Sequence, residues 1–147
     1  MRGHRVASGA CGDPRFPDGT IAPQLGPFRE RIAVFDGWLG GDAYPATINL
    51  AFAGCRIVAG EPDFRIGPLC WTDCFPPETF LISRCTIEHR AKRYPAFVYM
   101  PDPGTKPDHH QAADIVEILT CFVPGLAYGD SVRLLCSPRA VAIVPAG

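Results

Sequence analysis

Branched and aromatic residues are concentrated in short runs along most of the chain. The runs with the composition of β-strands cover residues 80–87, 96–100, 114–123, 131–136 and 141–144. Turn-forming segments such as residues 76–77, 101–104 and 128–130 separate them. Sixteen prolines and fifteen glycines suit a chain with many short strands and looped connections. The hydrophobic pattern therefore predicts a mainly β protein.

One stretch has the spacing of an amphipathic helix. Its apolar residues recur at steps of three and four positions, and they are Leu25, Phe28, Ile32, Phe35 and Leu39. Gly40 and Gly41 follow, and glycine is common just past the end of a helix. We predict one main helix over residues 25–39, packed by this apolar stripe and crossing between the first strand and the strand near Thr47.

A shorter alternation of apolar and polar residues follows the helix, at residues 44–50. Pro45 precedes a predicted strand in which Thr47 and Asn49 share one face and Ile48 and Leu50 share the other. A hydroxyl oxygen and a carboxamide oxygen held side by side suit a hard cation such as Mg²⁺. The alternative interpretation is an edge strand whose threonine and asparagine face solvent.

Composition and charge narrow the class of protein. A chain of 147 residues, 47% hydrophobic and 20% charged, is most simply one globular domain, which we assign to residues 1–147. The formal charge of −1 gives no electrostatic case for binding nucleic acid or an anionic membrane. No apolar run approaches the roughly 18 residues of a membrane span, and residues 1–12 lack the apolar stretch of a signal peptide. We therefore expect a cytoplasmic protein.

Seven cysteines are scattered along the sequence, and without a secretion signal we expect reduced and mostly buried thiols. Cys85, Cys121 and Cys136 lie in apolar, strand-like runs, which favours burial. The alternative is a zinc site made by the cysteines at positions 70 and 74 with the histidines at 109 and 110. Structural zinc sites use tighter cysteine pairs, so we predict no structural zinc.

Four short motifs follow one another between residues 5 and 135. They are Ser8-Gly9-Ala10-Cys11-Gly12 after a strand, Pro45-Ala46-Thr47-Ile48-Asn49-Leu50, Thr105 and His109 ahead of Asp114-Ile115-Val116-Glu117-Ile118, and Gly129-Asp130-Ser131-Val132. In this order they resemble the CTP-dependent, archaeal-type riboflavin kinases. Members of that family carry Ser-Gly-x-Gly, Pro-Gly-Thr-Leu-Asn-Leu, a Thr and a His before Asp/Glu-x-x-Glu-Ile, and Gly-Asp-x-Val.

The resemblance implies both a fold and an activity. The fold would be a small cradle-loop, riboflavin-kinase-like β-barrel with one main crossover helix. The activity would be Mg²⁺-assisted transfer of a phosphoryl group from a nucleoside triphosphate, CTP favoured, to riboflavin or a related polyol-bearing acceptor, giving FMN. In such an enzyme the backbone amides around Ser8, Gly9, Ala10 and Gly12 would bind the phosphates of the nucleotide.

The resemblance also implies roles for residues in the second and third motifs. Thr47 and Asn49 would hold Mg²⁺. Thr105, with His109 taking over part of its role, and Glu117 would bind the acceptor. Glu117 could also take the proton of the attacking hydroxyl, although positioning usually matters more in this reaction. We predict that Thr47, Asn49 and Glu117 face one shared cavity, with the glycine-containing loop at its mouth.

The chain also departs from the family pattern. Ala46 stands where the family has glycine, and residues 120–125 form a shorter segment without the arginine that helps family members to bind the nucleotide. The alternative function is therefore a degenerate relative that binds a flavin or another small ligand without phosphorylating it. A metal-binding structural protein is a more remote option. Neither a P-loop nor the usual metalloprotease and serine-hydrolase motifs occur in the sequence.

Overall fold

The computed structural model describes residues 2–6, 22–70, 77–102, 114–127 and 129–147. Secondary structure in these residues follows the order β1 Arg2–Val6, α1 Ala22–Arg31, α2 Phe35–Leu39, β2 Thr47–Ala51, β3 Cys55–Ala59, β4 Phe64–Leu69, β5 Glu78–His89, β6 Lys92–Pro101, β7 Ile115–Thr120, β8 Arg133–Cys136 and β9 Val141–Pro145. The prediction of a mainly β protein is confirmed.

One antiparallel sheet contains most of the described strands. Its order is β1-β2-β7-β6-β5-β4, and β8 continues along the edge of β5 where β4 leaves it. The sheet curls as a half-barrel, while β3 and β9 pair in a separate two-stranded sheet. The closed barrel that the resemblance implied is not seen in the described strands, because β1 and β4 end the strand order without pairing with each other.

Apolar clusters cover both faces of the large sheet. On the face covered by the helices, aromatic rings dominate: the rings of Phe35 and Phe97 stack with centroids 5.0 Å apart, and Phe28 meets Phe80 edge-on at 5.3 Å. On the opposite face, aliphatic side chains dominate, and Ile57 of β3 packs against them. We call these the helix-covered face and the opposite face.

The helical stripe is buried as predicted, but the single helix is wrong. Leu25, Phe28, Ile32, Phe35 and Leu39 all join the cluster under the helices. A turn at residues 33–34 divides the segment into α1 and α2, and there the Phe35 N–H bonds to the Ile32 carbonyl, three residues back instead of four. The apolar residues keep their spacing of three and four positions across this tighter turn, so the sequence periodicity does not reveal the break between α1 and α2.

The predicted helix end is confirmed. α2 stops at Leu39, and Gly40 adopts a left-handed conformation with φ of 73° while its N–H bonds to the Asp36 carbonyl. Glycine suits this position because a Cβ disfavours positive φ. Within the described residues, neither helix has the length and apolar character needed to cross a membrane.

Several strand boundaries and two strands differ from the sequence prediction. β3 and β4 were not predicted, and β7 ends at Thr120 rather than at Val123. Val123 is buried all the same, because it sits in the turn before Pro124 and packs on the opposite face. From the sequence alone, an apolar residue that is buried in a turn cannot be distinguished from one that is buried in a strand.

The prediction of mostly buried cysteines is wrong for the described residues. Their five cysteines are free thiols, but only Cys85 is buried; Cys70 is exposed, and Cys55, Cys121 and Cys136 are partly exposed. Cys121 lies just past the end of β7, and Cys136 ends the short strand β8, which pairs only with β5. Positions beyond a strand end or on an edge strand are covered on fewer sides.

Candidate functional site

The centre of the sheet brings two of the sequence motifs side by side. β2 and β7 are antiparallel neighbours, and Asn49 lies directly opposite Glu117. Side chains of directly opposed residues project from the same face, with Cβ atoms about 4.5–5.5 Å apart. Thr47, two residues before Asn49, projects from that face as well. The three residues that the sequence predicted to face the same way do so.

A buried hydrogen bond joins two of them. Thr47 Oγ1 donates to Glu117 Oε1 at 3.0 Å across the diagonal between the strands. Thr47 is 1% exposed and Glu117 is 7% exposed. A threonine hydroxyl that donates its proton in this way keeps its oxygen lone pairs available as acceptors. The Thr47 oxygen can therefore still serve a cation or a donor group.

Asn49 provides an unsatisfied oxygen at the same place. Its Oδ1 atom is buried, yet it accepts no hydrogen bond within the described part of the chain. Leaving a buried acceptor unpaired costs roughly 1–3 kcal/mol, so proteins rarely keep such a group without a reason. The Asn49 oxygen can therefore accept a hydrogen bond or a cation from outside the described residues.

A second buried hydrogen bond extends the polar region towards α1. Tyr99 of β6 lies directly opposite Glu117, and its hydroxyl donates to Gln24 Oε1 at 2.7 Å. Gln24 is 2% exposed and Tyr99 is 5% exposed. Three neighbouring strands and one helix thus supply five polar side chains to one region of the helix-covered face. We call Gln24, Thr47, Asn49, Tyr99 and Glu117 the polar cluster.

The oxygen atoms of the polar cluster determine which kind of ion it can bind. Glu117 carries its one formal charge, and Thr47 and Asn49 add neutral oxygens next to that carboxylate. Carboxylate, hydroxyl and carboxamide oxygens are the ligands of hard cations such as Mg²⁺. Because the Asn49 oxygen is also unpaired among the described residues, the residues present fit a Mg²⁺ ion.

Other predicted site residues lie outside the described residues. They are Ser8, Gly9, Ala10 and Gly12 of the nucleotide loop and Thr105 and His109 of the acceptor side. The shared cavity with that loop at its mouth therefore stays a prediction. A cavity of ≈ 10 Å³, about the size of one water, does lie beside Thr47, but Thr120 and Val123 line it rather than Asn49 or Glu117.

The alternative zinc site also falls mostly outside the described residues, because Cys74, His109 and His110 are not among them. Within the described ranges, no group of three or more His, Cys, Asp or Glu side chains could hold a metal ion. The polar cluster differs from such groups, since two of its three candidate ligands are neutral oxygens.

The Gly129-Asp130-Ser131-Val132 motif has a structural explanation. Asp130 Oδ2 accepts the Ala127 N–H at 3.0 Å and lies 3.0 Å from Nε2 of the buried His89. The Ala127 N–H and then His89 lower the pKa of Asp130 below its usual value. Asp130 therefore closes the turn before β8 and ties it to the end of β5.

A second, more open groove of ≈ 370 Å³ lies where β5 meets β8. Two of its polar side chains are already engaged: the Arg84 guanidinium pairs with Asp63 at 3.2 Å, and the Trp38 indole donates to the Ala96 carbonyl at 2.7 Å. Burial, with a smaller contribution from the neighbouring Cys136, raises the pKa of Cys85 well above its usual range. Its thiol stays protonated and unreactive at neutral pH.

Sequence reasoning missed Gln24 and Tyr99. A signal for Gln24 was present, because it lies four residues before Phe28 and one helical turn therefore puts both on the same face. Tyr99 offered no comparable signal, since its place opposite Glu117 depends on strand order and register.

Comparison with known proteins adds no relative. No family model, curated protein or solved structure matches this chain.

Proposed function

We propose that this protein is a Mg²⁺-dependent phosphotransferase of the riboflavin-kinase type. In this proposal it transfers a phosphoryl group from a nucleoside triphosphate, CTP favoured, to riboflavin or a related polyol. The single observation that carries the proposal is the buried Asn49 oxygen, unpaired among the described residues, next to the hydrogen-bonded Thr47 and Glu117. Thr47 and Asn49 are the residues that would hold the metal.

The proposed metal would offset part of the negative charge on the phosphates of the donor nucleotide. The protein's own part would be positioning, which dominates catalysis of phosphoryl transfer. The Thr47–Glu117 hydrogen bond fixes both side chains, and the sheet backbone fixes Asn49 opposite Glu117. A preorganised set of this kind loses little entropy when a substrate complex forms.

The described residues on either side of the predicted nucleotide loop lie at or next to the polar cluster. Val6, the last residue of β1, lies opposite Thr47, and Gln24 near the start of α1 contacts Tyr99. Residues 7–21, which join these two points, include Ser8, Gly9, Ala10 and Gly12. As part of the proposal, the half-barrel sheet belongs to a cradle-loop barrel.

The test is an assay for FMN. Purified protein would be incubated with riboflavin, Mg²⁺ and each nucleoside triphosphate in turn, and the products separated by chromatography. We expect FMN with one or more donors and none when Mg²⁺ is removed. Asn49→Ala should depress turnover strongly while flavin binding and the fold remain, because a metal contact matters most in the transition state.

A matched control keeps this test specific. Cys55 is a partly exposed residue of the separate two-stranded sheet, so Cys55→Ser should leave FMN production unchanged. No FMN with any donor would contradict the kinase proposal.

The second candidate is a flavin-binding protein without kinase activity. The observation that favours it is the segment 120–125, which lacks the arginine expected for the nucleotide. Quenching of riboflavin fluorescence by the protein, without FMN in any of the assays above, would support this candidate over the first.

A further inference from the structure

We propose that Glu117 belongs to the cation site itself, and that Thr47, Asn49 and Glu117 bind a divalent cation before any nucleotide arrives. This inference deepens the proposed function and rests on it only for the identity of the cation. It changes the role of Glu117, which the sequence assigned to the acceptor. A carboxylate has two oxygens, so a contact to the cation leaves room for a contact to the acceptor.

The first argument is the geometry of Thr47 and Glu117. Their oxygens are 3.0 Å apart. Adjacent ligands of an octahedral Mg²⁺ ion, at about 2.1 Å from the metal, lie roughly 3.0 Å from each other. The two oxygens therefore already have the separation that a shared cation needs, without a rearrangement of either side chain.

The second argument is the register of β2 and β7. Asn49 is the residue directly opposite Glu117, so the unpaired oxygen and the carboxylate project from adjacent points of one face. Neither side chain has to cross the sheet or leave its strand to reach a common point. The backbone hydrogen bonds of the sheet hold this arrangement in the absence of any ligand.

The third argument is charge. Thr47 and Asn49 are neutral, and two neutral oxygens bind a divalent cation weakly in competition with water. Glu117 adds a negative charge where exposure is only 7%, and a cation placed against a buried carboxylate is screened little. The carboxylate gives this site its affinity, and the neutral oxygens give it its shape.

The test measures Mn²⁺ binding to the metal-free full-length protein, with no nucleotide or flavin present. Free Mn²⁺ is followed by electron paramagnetic resonance, and Mg²⁺ is added afterwards to compete. We expect Mn²⁺ to bind the wild type and Mg²⁺ to displace it. Glu117→Gln, which keeps the size and one oxygen of the side chain, should weaken Mn²⁺ binding by about tenfold or more.

One further variant and one control locate the effect. Asn49→Ala should also weaken binding. Glu78 is a carboxylate of β5 that is 1% exposed, and β5 is separated from β7 by β6. Glu78→Gln should leave Mn²⁺ affinity unchanged. Circular dichroism of each variant checks the fold, and Asn49→Ala carries the test if Glu117→Gln does not fold.

The outcomes separate this inference from the kinase proposal. Mn²⁺ binding that depends on Glu117, with no FMN formed from any donor, would support the cation site and contradict the kinase. FMN formation together with wild-type Mn²⁺ affinity in Glu117→Gln would support the kinase and overturn the inference. Absence of Mn²⁺ binding by the wild type without nucleotide would overturn it as well.

Discussion

The two faces of the strands β2, β6 and β7 differ around the pair Asn49–Glu117, where only the opposite face is apolar. The opposite face carries Ile48, Leu50, Val98, Val116 and Ile118, each at most 7% exposed. The helix-covered face carries, at the alternate positions of the same strands, Thr47, Asn49, Tyr99 and Glu117. The same stretch of backbone therefore supports an apolar surface on one side and a polar surface on the other.

The difference indicates what each face is for. Burying an aliphatic side chain stabilises the fold by about 1.5–3 kcal/mol, and the opposite face does this at the five positions named above. Burying a carboxylate or an unpaired carboxamide oxygen costs free energy. Around Phe28 and Phe97 the helix-covered face is itself apolar. The proposed cation site would account for this cost at the polar cluster.

The largest effect is expected on the opposite face. Leu50→Ala should lower the free energy of unfolding by about 2–5 kcal/mol, because Leu50 is fully buried and the truncation leaves a cavity. Urea denaturation would measure the loss. Mn²⁺ affinity of the folded variant should match the wild type, since Leu50 points away from the polar cluster. A loss below about 1 kcal/mol would show that the apolar face is packed less tightly than it looks.

Tyr99→Phe should give a smaller loss on the helix-covered face. The change removes the hydroxyl that donates to Gln24 and leaves the buried Gln24 oxygen without that hydrogen bond. We expect the free energy of unfolding, measured by urea denaturation, to fall by about 1–3 kcal/mol. Tyr94 is a partly buried tyrosine of the same strand whose side chain packs on the opposite face, and it offers a matched control. Tyr94→Phe should change stability by less than about 0.5 kcal/mol. Equal effects of the two substitutions would contradict a special role for the Gln24 contact.

Asn49→Ala should change stability little, by less than about 1 kcal/mol, because its buried oxygen accepts no hydrogen bond within the described residues. This sharpens the contrast between the faces: Leu50→Ala should lower stability and leave Mn²⁺ affinity unchanged, whereas Asn49→Ala should leave stability nearly unchanged and weaken Mn²⁺ binding. Parallel urea and Mn²⁺ titrations of the two variants measure both quantities. A large loss of stability in Asn49→Ala would make Asn49 a structural residue.

The smallest effect concerns a polar contact that serves the fold instead of the site. The pKa of Asp130 is lowered below its usual 3.8 in the folded protein, first by the Ala127 N–H and then by His89. Its ionised form therefore contributes stability that is present above about pH 4 and is lost as the pH falls through the lower folded pKa. Wild type should lose stability more steeply than Asp130→Asn between about pH 5 and pH 2, as measured by urea midpoints. Parallel curves would contradict this assignment.

The sequence alone determined what depends on local periodicity. Alternation in residues 44–50 put Thr47 and Asn49 on one side of a strand, and the three-and-four spacing from Leu25 to Leu39 selected the residues that α1 and α2 bury. Gly40 marked the end of α2 because only glycine adopts positive φ without strain. These properties are fixed by the backbone geometry of neighbouring residues, so a short segment carries them.

Tertiary structure alone decided which segments meet. Glu117 is 68 positions from Asn49 in sequence numbering, and nothing local specifies that β7 lies beside β2 with these two residues opposite each other. The same holds for Tyr99 against Glu117, for the turn that divides the helix, and for the exposure of Cys121 and Cys136. Strand order, register and coverage result from packing distant segments together, and a one-residue change of register would turn Glu117 to the apolar face.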